Sequence, residues 1–201
     1  MSKVLYIKAN TTPGDSSRTF KISNSFIDVY RQKNPDDEII TVDLYKEGIS
    51  LPTLKDVQSI MGAKNEESRN NSSLKYAYQF AEADKYVIAE PMWNLSIPAM
   101  LKTYIDFVSV SDITFKYTKQ GVVGLLQGKK AVNIITRGGD FSREPLASML
   151  MDDKYLRAIF TFFGITDFTT ISANRLDIMG ENVELIMQKA MQEAKEIAMN
   201  F

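Results

Sequence analysis

Three short stretches of this 201-residue chain hold residues whose types and spacing suit chemistry. Residues 10–19 carry Thr11, Thr12, Ser16, Ser17 and Thr19 hydroxyls beside Asn10 and Arg18 at the start of a helical pattern. Helix N-terminal N–H groups with hydroxyl donors and a guanidinium make an anion site. The plainer alternative is an ordinary helix cap supplied by Asp15 or Ser16. Residues 91–95 read Pro91-Met92-Trp93-Asn94-Leu95. Pro91 fixes the chain's exit, the N–H groups of residues 92–95 can face a flat heterocycle, and Met92 or Trp93 can lie against it. The alternative is that the chain's single tryptophan is core. Residues 136–140 read Thr136-Arg137-Gly138-Gly139-Asp140, and the paired glycines allow close approach of backbone to a ligand, or simply a turn.

What is missing narrows the chemistry further. The chain has no His and no Cys. That removes Ser-His-Asp catalysis, histidine acid-base chemistry, histidine and thiolate metal sites, thiolate nucleophiles and disulfides. No catalytic side chain and no metal ligand set is assigned, and an enzyme of this composition is expected to take its reactive group from a cofactor rather than from its own nucleophiles. The formal net charge of -1 argues against nucleic acid or an anionic membrane as the main partner. The absence of a signal-peptide pattern, and of any apolar run near the ~18 residues of a membrane span, leads to the expectation of a soluble, cytoplasmic chain.

These stretches need a scaffold, and the hydrophobic pattern supplies one. Strand-like runs occur at residues 4–7, 39–42, 86–89, 131–135 and 168–171. Helical spacing fills the intervals, and the cleanest period is Val183, Ile186/Met187, Ala190/Met191, Ala194, Ile197, Phe201. A short helix is expected at 54–61, a longer one opening within 64–73, and another around 149–163. Alternating strands and helices, with strands apolar on both faces, mean a parallel sheet covered on both sides. Five strands fit a flavodoxin-like three-layer α/β sandwich, one domain spanning 1–201. In that architecture ligands bind beyond the carboxyl ends of the strands, and the three stretches follow strands one, three and four. No G-x-G-x-x-G occurs, and Gly124, Gly128, Lys129 and Lys130 miss the P-loop spacing.

At this point the sequence resembles a known family. Met1-Ser2-Lys3-Val4-Leu5 with Lys8, Pro91-Met92-Trp93-Asn94-Leu95-Ser96-Ile97-Pro98 and Leu101-Lys102-Thr103-Tyr104-Ile105-Asp106 are similar to the FMN-dependent NADH-azoreductases, relatives of the NAD(P)H:quinone oxidoreductases. So are Thr114-Phe115-Lys116-Tyr117-Thr118, Gly128-Lys129-Lys130-Ala131, Thr136-Arg137-Gly138-Gly139 and Phe163-Gly164-Ile165-Thr166-Asp167. The resemblance covers nearly the whole chain.

It implies FMN as cofactor, with the isoalloxazine ring held by residues 92–95 and 136–139 and the phosphate by Asn10 and Ser16, Ser17 and Arg18. It also implies NADH or NADPH as electron donor, a quinone or azo acceptor, ping-pong turnover and a homodimer. Tyr117 and Phe160 are the candidates for the substrate pocket, with burial in the core as the plainer alternative for each. The chain departs from the family at Asn10, where a serine is common, and in reading Ser16-Ser17-Arg18 for a Ser-x-Ser pattern. A non-enzymatic flavodoxin-like electron carrier is the rival reading. A protein that keeps the fold without flavin is a second. The colour of the purified protein and its bleaching by NADH separate them.

Overall fold

A strand with apolar side chains on both faces has to be covered on both, and the first strand shows this directly. In the computed structural model, which describes residues 1–14, 16–62 and 64–201, β1 (Lys3–Lys8) sends Leu5 and Ile7 into one core cluster and Val4 and Tyr6 into the other. Its neighbours are β2 (Glu38–Asp43) and β3 (Lys85–Pro91), followed outward by β6 (Lys130–Thr136) and β7 (Asp167–Ala173). All pairings are parallel, in the order β2-β1-β3-β6-β7. The order reverses direction between β1 and β3, the place where such sheets hold ligands.

The helices α1 (Arg18–Lys33) and α7 (Val183–Ala198) cover one face. Ala190, Ala194 and Ala198 recur every fourth residue along the buried side of α7, and α1 turns Phe20, Phe26, Ile27 and Tyr30 into the same cluster. Phe201 closes it edge-on against Phe26, with ring centroids 5.2 Å apart. Each such buried side chain contributes on the order of 1.5–3 kcal/mol relative to exposure. The other face is covered by α3 (Lys75–Glu82), α4 (Ala99–Val108) and α6 (Asp152–Phe163). Two short helices, α2 (Leu54–Met61) and α5 (Leu146–Met149), bury no residue fully.

Two stretches differ from the sequence expectation. Residues 64–73 do not open a long helix. They form short 3-10 turns at Glu66–Asn70 and Ser72–Leu74, because Asn65 and Asn71 accept hydrogen bonds from the Ser68 and Ser73 N–H groups. Asparagine side chains that bond the backbone locally compete with helix continuation. Residues 114–126, which the hydrophobic pattern does not mark as strands, contain an antiparallel hairpin of β4 (Phe115–Thr118) and β5 (Gly121–Gly124).

The hairpin is fastened at Gly124. The helix α6 ends at Gly164, whose φ of +96° is the left-handed cap that glycine favours. Leu126 N–H donates to Phe163 O at 2.8 Å. A Cβ on Gly124 would run into the backbone of Phe163 and Gly164. Gly124→Ala is therefore expected to cost about 1–3 kcal/mol, an overpacking penalty borne by backbone rather than by a pliant side chain. A lowered urea midpoint with unchanged slope checks this.

Candidate active site

The helix α1 begins with Ser17 as its cap, its hydroxyl oxygen accepting from Phe20 N–H at 3.2 Å. This corrects the expectation of Ser16 in that role; Asp15, the other expected cap, lies outside the described residues. Asn10 supports the cap. Its Nδ2 donates to Ser17 Oγ at 3.0 Å while its Oδ1 accepts from Thr12 N–H at 3.0 Å. Where a serine would offer one hydroxyl to a ligand, Asn10 instead locks the loop onto the cap. The N–H groups of Arg18 and Thr19 open the helix and lack intrahelical acceptors, at the positive end of the helix dipole.

The second loop is built on strain. Trp93 and Ser96 exchange N–H···O bonds of 2.9 and 3.1 Å across a two-residue turn. Its central residues, Asn94 and Leu95, have φ of 50° and 68°. That is the I′ geometry, easy for Asn and costly for Leu by roughly 1–3 kcal/mol. The Leu95 carbonyl is held by Met151 N–H at 2.8 Å, which fixes the turn from the α6 side. Met92 N–H is spent on Thr136 O at 2.9 Å, tying the exits of β3 and β6 together. Of the four N–H groups expected to face a heterocycle, those of Met92 and Trp93 are thus committed inside the protein. Those of Asn94 and Leu95 stand outside these bonds. Trp93 is 38% exposed, so it is not core; its ring lies tilted to Tyr45.

The third loop lies against the segment after β7. Arg137 N–H donates to Ala173 O, and the Arg137, Gly138 and Gly139 carbonyls accept from the Leu176, Asp177 and Arg175 N–H groups. The close approach that Gly138 permits is made first by the protein, since a Cβ there would strike the Asp177 carboxylate. The Arg137 side chain points inward. Its Nε and Nη2 donate to Asp152 at 2.7 and 3.1 Å, and Nη1 donates to Asn174 Oδ1 at 3.1 Å. Asp152 is fully buried and is the first residue of α6. Across the floor Thr136 Oγ1 and Thr19 Oγ1 share a hydrogen bond of 2.6 Å.

The three loops enclose one cleft of about 490 Å³, within the ordinary range for cofactor sites. The structure brings Asn10, Ser16, Ser17, Arg18, Pro91, Met92, Trp93, Thr136, Arg137 and Gly138 to its walls. Asn94 lines a second cleft of about 450 Å³ on the far side of Trp93, with Lys102 and Tyr155. Leu95 and Gly139 line neither cleft directly.

Phe160 does not belong to the site. At 2% exposure it is core, edge-on to Phe80 and Tyr86, because it sits on the inward stripe of α6 with Leu156 and Phe163. Tyr117 is 72% exposed on the β4–β5 hairpin and lines neither of these two clefts. Sequence reasoning missed Leu176 and Asp177 as wall residues, while Thr12, named with the first loop, does line the cleft. The carboxyl-edge rule that pointed to strands one, three and four also covers the last strand, and applying it to the loop after β7 would have found both. Asp177 matters most, since its Oδ1 accepts from Arg18 Nη1 at 2.6 Å.

Comparison with known proteins now decides the family. Residues 2–198 match the Flavodoxin-like fold family. The chain belongs to it. Over all 201 residues, and over the full length of both chains, it is 62% identical to the FMN-dependent NADH:quinone oxidoreductase of Clostridium beijerinckii. It is 57% identical, again over full lengths, to the enzyme of that name from Caldicellulosiruptor bescii. Among solved structures, azoreductase from Bacillus anthracis str. Sterne superposes with a TM-score of 0.90 at 35% identity, covering 100% of both chains. The FMN-dependent NADH-azoreductase of B. anthracis str. Ames Ancestor, in complex with FMN, gives 0.87 at 28% identity, covering 100% of this chain and 99% of the other. The flavodoxin-like order expected from the strand pattern is the order the sheet has.

Within this flavodoxin-like scaffold the buried Arg137–Asp152 pair is sensitive to loss of either partner. Removing one partner of a buried pair strands the other charge, so Arg137→Ala is expected to cost about 3–5 kcal/mol. Equilibrium urea unfolding measures it, with Arg31→Ala on exposed α1 as the silent control.

Proposed function

We propose that this chain is an FMN-dependent NADH:quinone oxidoreductase that also reduces azo compounds, with residues 1–201 forming one FMN-binding domain. The observation that carries the reading is the cleft at the β1/β3 switch, with the α1 terminus and Arg18 at one end and the Pro91–Trp93 and Thr136–Gly138 walls at the other. At the α1 end, Ser17, the first-turn N–H groups and Arg18 suit a phosphate dianion. At the other end, the Pro91–Trp93 wall and the Thr136–Gly138 wall face each other, suited to a planar ring. The donor set fits FMN, and the full-length relatives carry it in their names.

When bound, FMN supplies the two-electron chemistry that a chain without His or Cys cannot supply itself. The protein's share is binding and orientation. Ser17, Arg18 and the first-turn N–H groups would hold the phosphate, while the Pro91–Trp93 and Thr136–Gly138 walls would hold the ring. NADH and the quinone or azo acceptor would occupy the cleft in turn, the ping-pong order that the resemblance implies. The cleft beside Trp93, with the Lys102 ammonium at its rim, takes the acceptor's remaining bulk.

The working unit is a homodimer. Tyr117, Val122, Val123 and Leu125 of the hairpin are exposed, and Phe162 stands beside them with its ring 4.6 Å from Phe115. Such a cluster suits burial against a second copy, which would put Tyr117 to use at the partner's cleft. No helix among the described residues is long and apolar enough to cross a membrane. A cytoplasmic setting belongs to the proposal, as the place where NADH is supplied.

The protein is expected to purify yellow, to be bleached by NADH and to regain colour on addition of a quinone. FAD in the heat-released flavin, or no bleaching, refutes the reading. Arg18→Ala is expected to weaken FMN binding about ten- to a hundredfold, the cost of about 1.5–3 kcal/mol for a charge-assisted bond. Asp177→Asn frees Arg18 and is expected to tighten binding by no more than about fivefold, since an exposed pair is worth under ~1 kcal/mol. Fluorescence titration of FMN into flavin-free protein reads both.

A further inference from the structure

Glu90 is the last residue of β3 before Pro91, and its side chain is completely buried. The pairing of β3 with β6 sets Ile88 opposite Asn133 and Glu90 opposite Ile135, so Glu90 and Asn133 share one face as diagonal neighbours. Asn133 Nδ2 donates to Glu90 Oε1 at 3.3 Å. The remaining oxygens, Glu90 Oε2 and Asn133 Oδ1, are both buried and both without a partner among the described residues. Two neighbouring side chains each present an acceptor with nothing to accept. A carboxylate offers only acceptors, whereas a carboxylic acid adds one donor, and a single proton on Glu90 answers both vacancies.

We propose that Glu90 is held as the neutral acid and donates to Asn133 Oδ1, closing a two-bond acid–amide pair that positions the two flavin loops. The loops begin at Pro91 and Thr136, one and three residues beyond the paired side chains. Glu90 is a positioning residue and touches no ligand itself.

The surroundings agree. Burial raises the Glu90 pKa well above the ordinary carboxylate range, and the Asp152 carboxylate raises it further; the Asn133 bond and Arg137 act the other way, and Asp153 adds a smaller upward push. These charges face Glu90 from α6 and from the loop after β6. Arg137 is already committed to Asp152. Ionising Glu90 removes the O–H that it donates to Asn133 Oδ1 and sets two buried carboxylates against one guanidinium, drawing Arg137 and the attached Gly138 loop from their places.

The sign follows from linkage. A carboxyl whose folded pKa is raised contributes stability that is complete below its unfolded pKa and is lost as pH rises toward the folded value. In Glu90→Gln the amide replaces the O–H as donor and does not titrate. Between the ordinary carboxylate range and the folded pKa of Glu90, each pH unit should lower the parent's folding constant about tenfold relative to this variant.

The positioning half rests on the FMN reading of the cleft; the proton half does not. Infrared difference spectra of the purified protein, parent minus Glu90→Gln, are expected to show the carbonyl band of a protonated carboxyl at pH 7. Urea unfolding from pH 5 to 9 is expected to show the variant gaining on the parent as pH rises. Fluorescence titration is expected to show the parent losing FMN affinity at alkaline pH, by at most tenfold per unit, while Glu90→Gln stays level. Absence of the infrared band, or parallel stability profiles, overturns the neutral acid. The band present with identical FMN affinities at every pH overturns the positioning role. Failure of both proteins to bind FMN at any pH refutes the cofactor reading and, with it, the positioning role, leaving the infrared and urea results to judge the proton. Should Glu90→Gln not fold, carbonyl-labelled glutamate in the parent carries the infrared measurement.

Discussion

A guanidinium removed from water must keep its counter-charge, and that constraint organises the carboxyl edge of this sheet. Arg137 leaves β6, reaches Asp152 at the first position of α6, and spends its third donor on Asn174 just past β7. One side chain thereby fixes the relative placement of two strand exits and one helix start. Its net contribution to stability is small, because desolvation offsets attraction in such pairs. Its contribution to geometry is large, because any displacement of α6 or of the glycine loop strands a buried charge. The wall formed by Gly138, Leu176 and Asp177 stands where it does because Arg137 stands where it does.

The rest of the edge shows a division of backbone donors that a ligand-binding function requires. Met92 and Arg137 N–H groups close the strand exits on each other and on Ala173, which makes the walls rigid. Asn94 and Leu95 are instead forced to positive φ, a cost that the Trp93–Ser96 bonds and the Met151 contact sustain. Strain maintained by that many neighbours is typical of a site and unusual in an idle turn. For a chain lacking His and Cys, such preorganised donors are the main means of acting on a bound group's charge.

Much of this was legible in the sequence, for identifiable reasons. Strands such as residues 86–89 and 131–135 are apolar on both faces, and that pattern specifies a doubly covered parallel sheet without further context. Trp93, Gly138 and Arg18 could be placed at one edge because the carboxyl-end rule depends only on strand order. The failures are equally physical. Phe160 was assigned to a pocket although it is core, because an aromatic three residues before another on a helix reads the same in either place. The hairpin at 115–124 was not seen as strands because its stability comes from α6 and Gly164, tertiary contacts with no local signature. Asp177 and Asp152 were overlooked because an acidic residue in a loop or first helical turn is ordinary until its cationic partner, 159 or 15 residues away, is known.

The position of Asp177 also bears on how tightly an anion can be held. A carboxylate on the wall of a phosphate-seeking cleft opposes the ligand, yet here it is neutralised by Arg18 at 2.6 Å. Both side chains are substantially exposed, so the pair is weak and its partners can be exchanged at little cost. A phosphate at the α1 terminus must compete with Asp177 for the guanidinium, and apparent affinity falls by the fraction of time Arg18 is engaged elsewhere. Among the described residues, the Ser17 cap and the first-turn N–H groups face no such competitor, since Asn10 holds the cap in place and α1 carries no acidic residue in its first turn. At the proposed phosphate site, anion binding would divide into a fixed part set by the helix terminus, which Asn10 braces through Ser17, and an adjustable part set by the Arg18–Asp177 exchange.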